Sequence, residues 1–261
     1  MKVWAIAVNT FREAVRDKIL YLLVVFGILL IVVSRAIGWI SYGGEHKIMT
    51  DLGLFAIWLF VALISIFIGT QMIYKEIDKR TLYTILSKPI DRWEFVLGKY
   101  LGLLLTTAMI LALLSSVFLP YLYLMGAPLT GAIFQALLLT LLEMVVVTAL
   151  AIFFSSASTP VLSAVFTFML FGMGQLTKWI VDLGTQVQGQ APWAKLFLKL
   201  FYYLMPNLHN FNVRQEAVQA AGRGEGWAVG ADQTFSIAVY SFSYAAAVLL
   251  AAVLVFRRRN F

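Results

Sequence analysis

Residues 74–102 read YKEIDKRTLYTILSKPIDRWEFVLGKYLG, a charged stretch set between two long apolar runs. Its neighbours decide what it is. Of the 261 residues 61% are hydrophobic and 13% charged, against roughly 45–50% apolar and 25% charged in a soluble domain. The mean hydropathy of +0.87 agrees. A chain of this composition is an integral membrane protein, and the quoted stretch is a place where it leaves the lipid. The net charge of +7 does not point to nucleic acid, because the basic residues stand beside apolar runs and not along one continuous face. Cysteine is absent, which excludes disulfide frameworks, thiolate nucleophiles and Cys-ligated zinc or iron–sulfur sites.

A bilayer core needs about 20 apolar residues of helix. Six stretches meet that length: Ile19–Ile40, Leu52–Tyr74, Val96–Phe118, Leu129–Phe154, Pro160–Val181 and Phe235–Phe256. The expected fold is all-α, a single polytopic domain over residues 1–261 with six transmembrane helices. The first run is too long for a cleaved signal and no small-residue cleavage site follows it, so it is expected to remain in the mature protein. With the N-terminus inside, 13 of the 20 Lys and Arg fall on the cytoplasmic side and 7 outside. Both termini are therefore expected in the cytoplasm, with Arg257, Arg258 and Arg259 as the firmest anchor.

Three segments depart from a plain alternation of span and loop. At the N-terminus, Trp4, Val8, Phe11, Val15 and Ile19 recur at helical spacing while Arg12, Glu13 and Arg16 fall elsewhere. This reads as an amphipathic elbow helix along the inner membrane surface, formed by Trp4, Phe11, Arg12 and Arg16, since Trp and basic residues suit headgroups; the other reading is a plain cytoplasmic extension of the first span. Between the last two spans lies an outer region, 182–234, long for a connector. Trp193, Leu196, Phe197, Leu200, Phe201 and Leu204 make one helical face there, and AAGRGEGWAVGADQ (220–233) is too Gly-rich for regular structure and reads as a mobile loop. The third segment is the opening one. The second span continues as helix through Leu86, Ser87-Lys88-Pro89 breaks it, and Asp91 with Glu94 forms a capping-box start for a helix running into the third span. Residues 75–95 are thus expected to form a cytoplasmic helical hairpin.

Few polar residues interrupt the spans. Glu143 lies near the middle of the fourth, where a charge costs several kcal/mol unless it is protonated, paired or wetted. It is expected to face protein or a cavity, either as a functional group or in a hydrogen bond to a nearby Ser or Thr. Gly98 and Gly102 form a GxxxG pattern, read as close helix packing. His46 and His209 sit in different outer loops and read as surface residues, no metal site is suggested, and Thr159-Pro160 reads as the N-cap and first position of the fifth span. No catalytic residue is assigned.

Glu76, Thr81, Leu82, Leu86, Pro89, Arg92, Gly98 and Lys99 stand in an order and spacing that resemble the cytoplasmic signature of ABC-2 type permeases, the membrane subunits of type V ABC transporters. Arg80 stands where that family commonly has Gly. The resemblance extends to the elbow, the six spans and the outer region. It implies that the hairpin docks on a separate ABC ATPase through Glu76, Arg80, Thr81, Leu82, Leu86, Pro89 and Arg92. ATP and Mg would be bound by that subunit, since this chain has no G-x-x-x-x-G-K-[ST] loop, and the chain itself would not be an enzyme. The resemblance further implies a second copy of the permease or a homologous one, and export across a prokaryotic cytoplasmic membrane. The alternative is a non-transporting mechanotransmitter or scaffold acting on an envelope partner.

Overall fold

The computed structural model describes residues 2–39, 44–78, 91–179 and 205–258. Among these residues every regular element is helical. In chain order they are α1 (Lys2–Val15), α2 (Lys18–Trp39), α3 (Glu45–Asp78), α4 (Arg92–Leu124), α5 (Gly131–Ala157), α6 (Pro160–Gln175), a 3-10 turn (Leu208–Phe211), α7 (Arg214–Arg223) and α8 (Ala231–Arg258).

The five helices α2, α3, α4, α5 and α8 are long and apolar enough to cross a membrane. The stretch expected as a span over Pro160–Val181 is different. Its helix α6 opens on Thr159 and Pro160 as the sequence suggests and covers 16 residues before a turn at Leu176. At 1.5 Å per residue that is about 24 Å, short of a hydrocarbon core of about 30 Å.

Burial follows composition. The α5 sequence is apolar all round, so it has no solvent face, and it becomes the central helix with α3, α4, α6, α7 and α8 packed about it. Helix α2 lies at the edge against α3 and α4 and leaves Leu22, Phe26 and Leu29 exposed to the surroundings. Lipid is no less apolar than leucine, so these helices cannot be held by hydrophobic burial alone, and close approach and buried hydrogen bonds take over. A Cβ on Gly69 of α3 would lie 2.8 Å from both Ala151 Cβ and Leu103 Cδ2. Ser65 Oγ lies 3.1 Å from Thr107 Oγ1, Tyr100 donates to the Val145 carbonyl at 3.2 Å, and Ser241 of α8 donates to the Leu142 carbonyl at 2.7 Å.

The Gly-rich stretch 220–233 corrects an expectation. It is structured: α7 runs to Arg223, Gly224 takes a left-handed φ of 72°, and the Glu225 N–H returns to the Ala220 carbonyl at 2.8 Å. The strap beyond it, residues 226–230, is held by one side chain. Gln135 of α5 accepts from the N–H groups of Ala228 (2.8 Å) and Val229 (3.2 Å) and donates to the Val229 carbonyl (2.9 Å). Glycine content signalled missing local preference, and a long-range amide supplied the order instead. The proposed helix over 193–204 and the hairpin residues 79–90 lie outside the described residues.

Candidate functional site

At one end of the bundle the start of α4 gathers three other elements. Asp91 and Glu94 close the expected capping box, the Asp91 N–H donating to Glu94 Oε2 at 3.1 Å. One turn on, Gly98 and Gly102 share a face and make a seat for α1. A Cβ on Gly98 would lie 2.6 Å from Ile6 Cβ, and one on Gly102 would lie 2.5 Å from the Ala7 carbonyl oxygen and 2.5 Å from Thr10 Cβ. Backbone therefore approaches backbone here, and the GxxxG serves an intramolecular contact. Ala7, Thr10 and Ala14 are the buried face of α1, while Trp4 is 61% exposed.

Charge reinforces that seat. Lys99 lies between the two glycines in sequence and is 1% exposed, with its Nζ 3.5 Å from Glu13 Oε2 and 5.8 Å from the centre of the Phe95 ring. Lys2 of α1 lies 3.9 Å from Glu94. Toward α8 the Arg92 guanidinium donates to the Phe256 carbonyl at 3.0 Å, and the Phe95 and Phe256 rings stack at 5.7 Å. The start of α4 is thus tied to α1 and to the end of α8, directly after residues 79–90.

The residues assigned from the sequence fall in different places. Arg92 belongs to this cluster. Glu76 is in the last turn of α3, and Arg80, Thr81, Leu82, Leu86 and Pro89 lie outside the described residues. Phe11 of α1 is half-buried, and Arg12 and Arg16 are exposed. Lys99 with Glu13, and the small face of α1, were not singled out as a site. The signal available was the pairing of GxxxG in one helix with Ala7, Thr10 and Ala14 at helical spacing in another.

A second polar site lies in mid-membrane. Glu143 of α5 is fully buried, accepting from Trp58 Nε1 of α3 at 2.8 Å on Oε2 and from Gln175 Nε2 of α6 at 2.6 Å on Oε1. Trp58 in turn packs against Phe171 with ring centres 5.3 Å apart. The partners are an indole and an amide, not the Ser or Thr considered from the sequence. One carboxyl group therefore joins three helices, α3, α5 and α6. Next to it, Thr177 donates to Asn207 Oδ1 at 2.8 Å and the Asn207 N–H donates to the Tyr240 hydroxyl at 2.9 Å. Among the described residues no three His, Asp or Glu side chains converge as a metal site.

No significant match was found among curated proteins. The family model described as ABC-2 family transporter protein matches residues 4–261. That span takes in α1, the charged segment after α3, the junction at the start of α4, the Glu143 cluster and α8, so the chain belongs to the ABC-2 transporter family as an ABC permease.

Proposed function

We propose that this chain is the membrane half of an ATP-driven exporter, working with a second permease copy or homologue and two ATPase subunits that bind ATP and Mg. Segment 75–95 is its docking element. The observation that carries this reading is the junction at the start of α4, where the Gly98–Gly102 seat, the Lys99–Glu13 pair and the Arg92–Phe256 bond fasten that segment to α1 and α8. A push on 79–90 would reach three helices through rigid contacts, one of which, α4, runs unbroken over 33 residues. In this reading α6 continues past Leu176 as the sixth span, both termini are cytoplasmic, α1 lies along the inner surface, and Glu143 keeps the end of α6 in register with α3.

Leu82→Asp and Leu86→Asp test the docking. A contact that excludes water must desolvate the new carboxylate, whereas a solvated linker accepts it at little cost. Membrane insertion should survive while copurification with the ATPase and permease-dependent hydrolysis fall at least several-fold; Asp78→Asn should do less. Wild-type copurification in both variants would remove the docking assignment. Movement of solute into inverted vesicles on ATP addition separates an exporter from a mechanotransmitter. Orientation is tested in the same Cys-free chain: Val3→Cys and Asn260→Cys should be shielded from an impermeant thiol reagent outside intact cells and Gly224→Cys should react, and the reverse pattern would invert the topology.

A further inference from the structure

At the end of the bundle away from α1, a cavity of about 650 Å³ opens between α5 and α8. Phe134, Leu138 and Leu142 of α5 form one wall, Phe235 and Ala238 of α8 the other, and Trp227 of the strap stands at its mouth. Its depth follows from helix geometry. The 27 residues of α5 rise about 40 Å, so a hydrocarbon core of about 30 Å begins roughly 5 Å in, near Phe134, and Leu142 lies about 12 Å below that boundary. The cavity therefore occupies most of one leaflet. Trp227 is 70% exposed at the headgroup level, where indoles concentrate.

The lining states what can fill it. No charged side chain contributes, and the polar side chains there, Gln135 and Thr234, are already bonded. Gln135 spends both lone pairs on the Ala228 and Val229 N–H groups and both amide hydrogens on the Val229 carbonyl and on Thr234 Oγ1, the last at 2.7 Å. The Thr234 hydroxyl donates to the Gly230 carbonyl at 3.1 Å. Away from the Trp227 indole N–H at its mouth, a ligand finds no free hydrogen-bonding side chain, so the occupant between the two walls is apolar. The groove opens toward the surrounding hydrocarbon, which offers single chains at this depth, and a space of about 650 Å³ admits one.

We propose that this cavity seats one acyl chain of a membrane phospholipid in the leaflet away from α1, with Trp227 marking the headgroup boundary. The assignment rests on the chain spanning a membrane and is independent of what the permease transports.

The full-length protein in phosphatidylcholine vesicles, doped with a phosphatidylethanolamine carrying a diazirine midway along one acyl chain, gives the test. After irradiation and digestion, adducts should concentrate on peptides 134–142 and 227–238 over the equally exposed face of α2 at Leu22, Phe26 and Leu29. Ala238→Trp, which fills the groove, should lower the α5 and α8 adducts roughly tenfold, the worth of about two buried methylenes, and leave α2 unchanged. Should that variant not purify as a single species, Leu138→Trp fills the same space from the other wall. Equal labelling of the cavity and of α2 means annular lipid only and overturns the proposal. So does labelling indifferent to both tryptophans, or a disulfide-linked dimer formed by Leu138→Cys, which would place a second copy there.

Discussion

The junction at the start of α4 and the Glu143 cluster join helices by opposite means. The first is steric: Gly98 and Gly102 remove side chains so that α1 can lie against backbone, and ions are added where the helices meet at the end of the bundle. The second is polar: one carboxyl takes an indole N–H and an amide N–H at mid-membrane, both from neutral side chains. Depth explains the difference. Near headgroups charge is tolerated and small residues suffice, whereas in the core a buried acceptor must be satisfied by donors that carry no charge of their own. The steric joint should fail on any added atom, and the polar joint only on loss of an acceptor.

Gly102→Val is expected to have the largest effect. Its Cβ would lie 2.5 Å from the Ala7 carbonyl oxygen, and backbone cannot yield as a flexible side chain can, so α1 must lift from α4 at a cost of about 3 kcal/mol or more. Trypsin cleavage after Arg12 and Arg16 in micelles should accelerate, since cleavage requires the helix to open. Unchanged cleavage and melting would show that the glycine seat does not hold α1.

Glu143→Ala comes next, at about 2–3 kcal/mol, because two buried N–H groups lose their acceptor. Glu143→Gln sharpens the point. An amide offers one oxygen where the carboxyl used two, so one of Trp58 and Gln175 faces another donor, and about 1 kcal/mol should be lost. In a Trp58→Phe background that loss should nearly vanish, which a double-mutant cycle on thermal unfolding in detergent would read. An equal loss in both backgrounds would mean that the indole bond does not set the requirement for two oxygens. If Glu143→Gln assembles and melts normally yet abolishes transport, the carboxyl has a role beyond joining helices.

The steric joint was partly legible in the sequence and the polar one hardly at all. GxxxG announces close packing, and the period of Trp4, Val8, Phe11 and Val15 announces a helix, yet the face that docks is Ala7, Thr10 and Ala14. In water the large apolar residues would turn inward. Beside a membrane they can be left to lipid, and the small ones mark the protein contact. Glu143 could be placed at mid-span by counting, but its partners lie 85 and 32 residues away and belong to no local pattern. The same holds for Gln135, about 94 residues from the Val229 that it ties down, which is why the stretch 220–233 looked unstructured. Gln135→Leu should cost about 1–2 kcal/mol, appearing as faster hydrogen exchange at Ala228 and Val229 with little change elsewhere.

The smallest effect discriminates between the two parts of the α1 junction. Lys2 and Glu94 stand 3.9 Å apart with the lysine 52% exposed, a geometry in which an ion pair contributes less than about 0.5 kcal/mol. Glu94 also accepts the Asp91 N–H at 3.1 Å and so completes the cap of α4. Removing the carboxylate therefore costs a cap as well as a pair, about 1 kcal/mol, while Lys2→Ala should leave the melting temperature and the trypsin rate at Arg12 almost where they were. Raised salt should erase what difference Lys2→Ala makes and leave Glu94→Ala destabilised. If Lys2→Ala frees α1 as fully as Gly102→Val does, the helix is held by surface charge and not by the close approach at the two glycines, and the contrast between a steric and a polar joint falls with it.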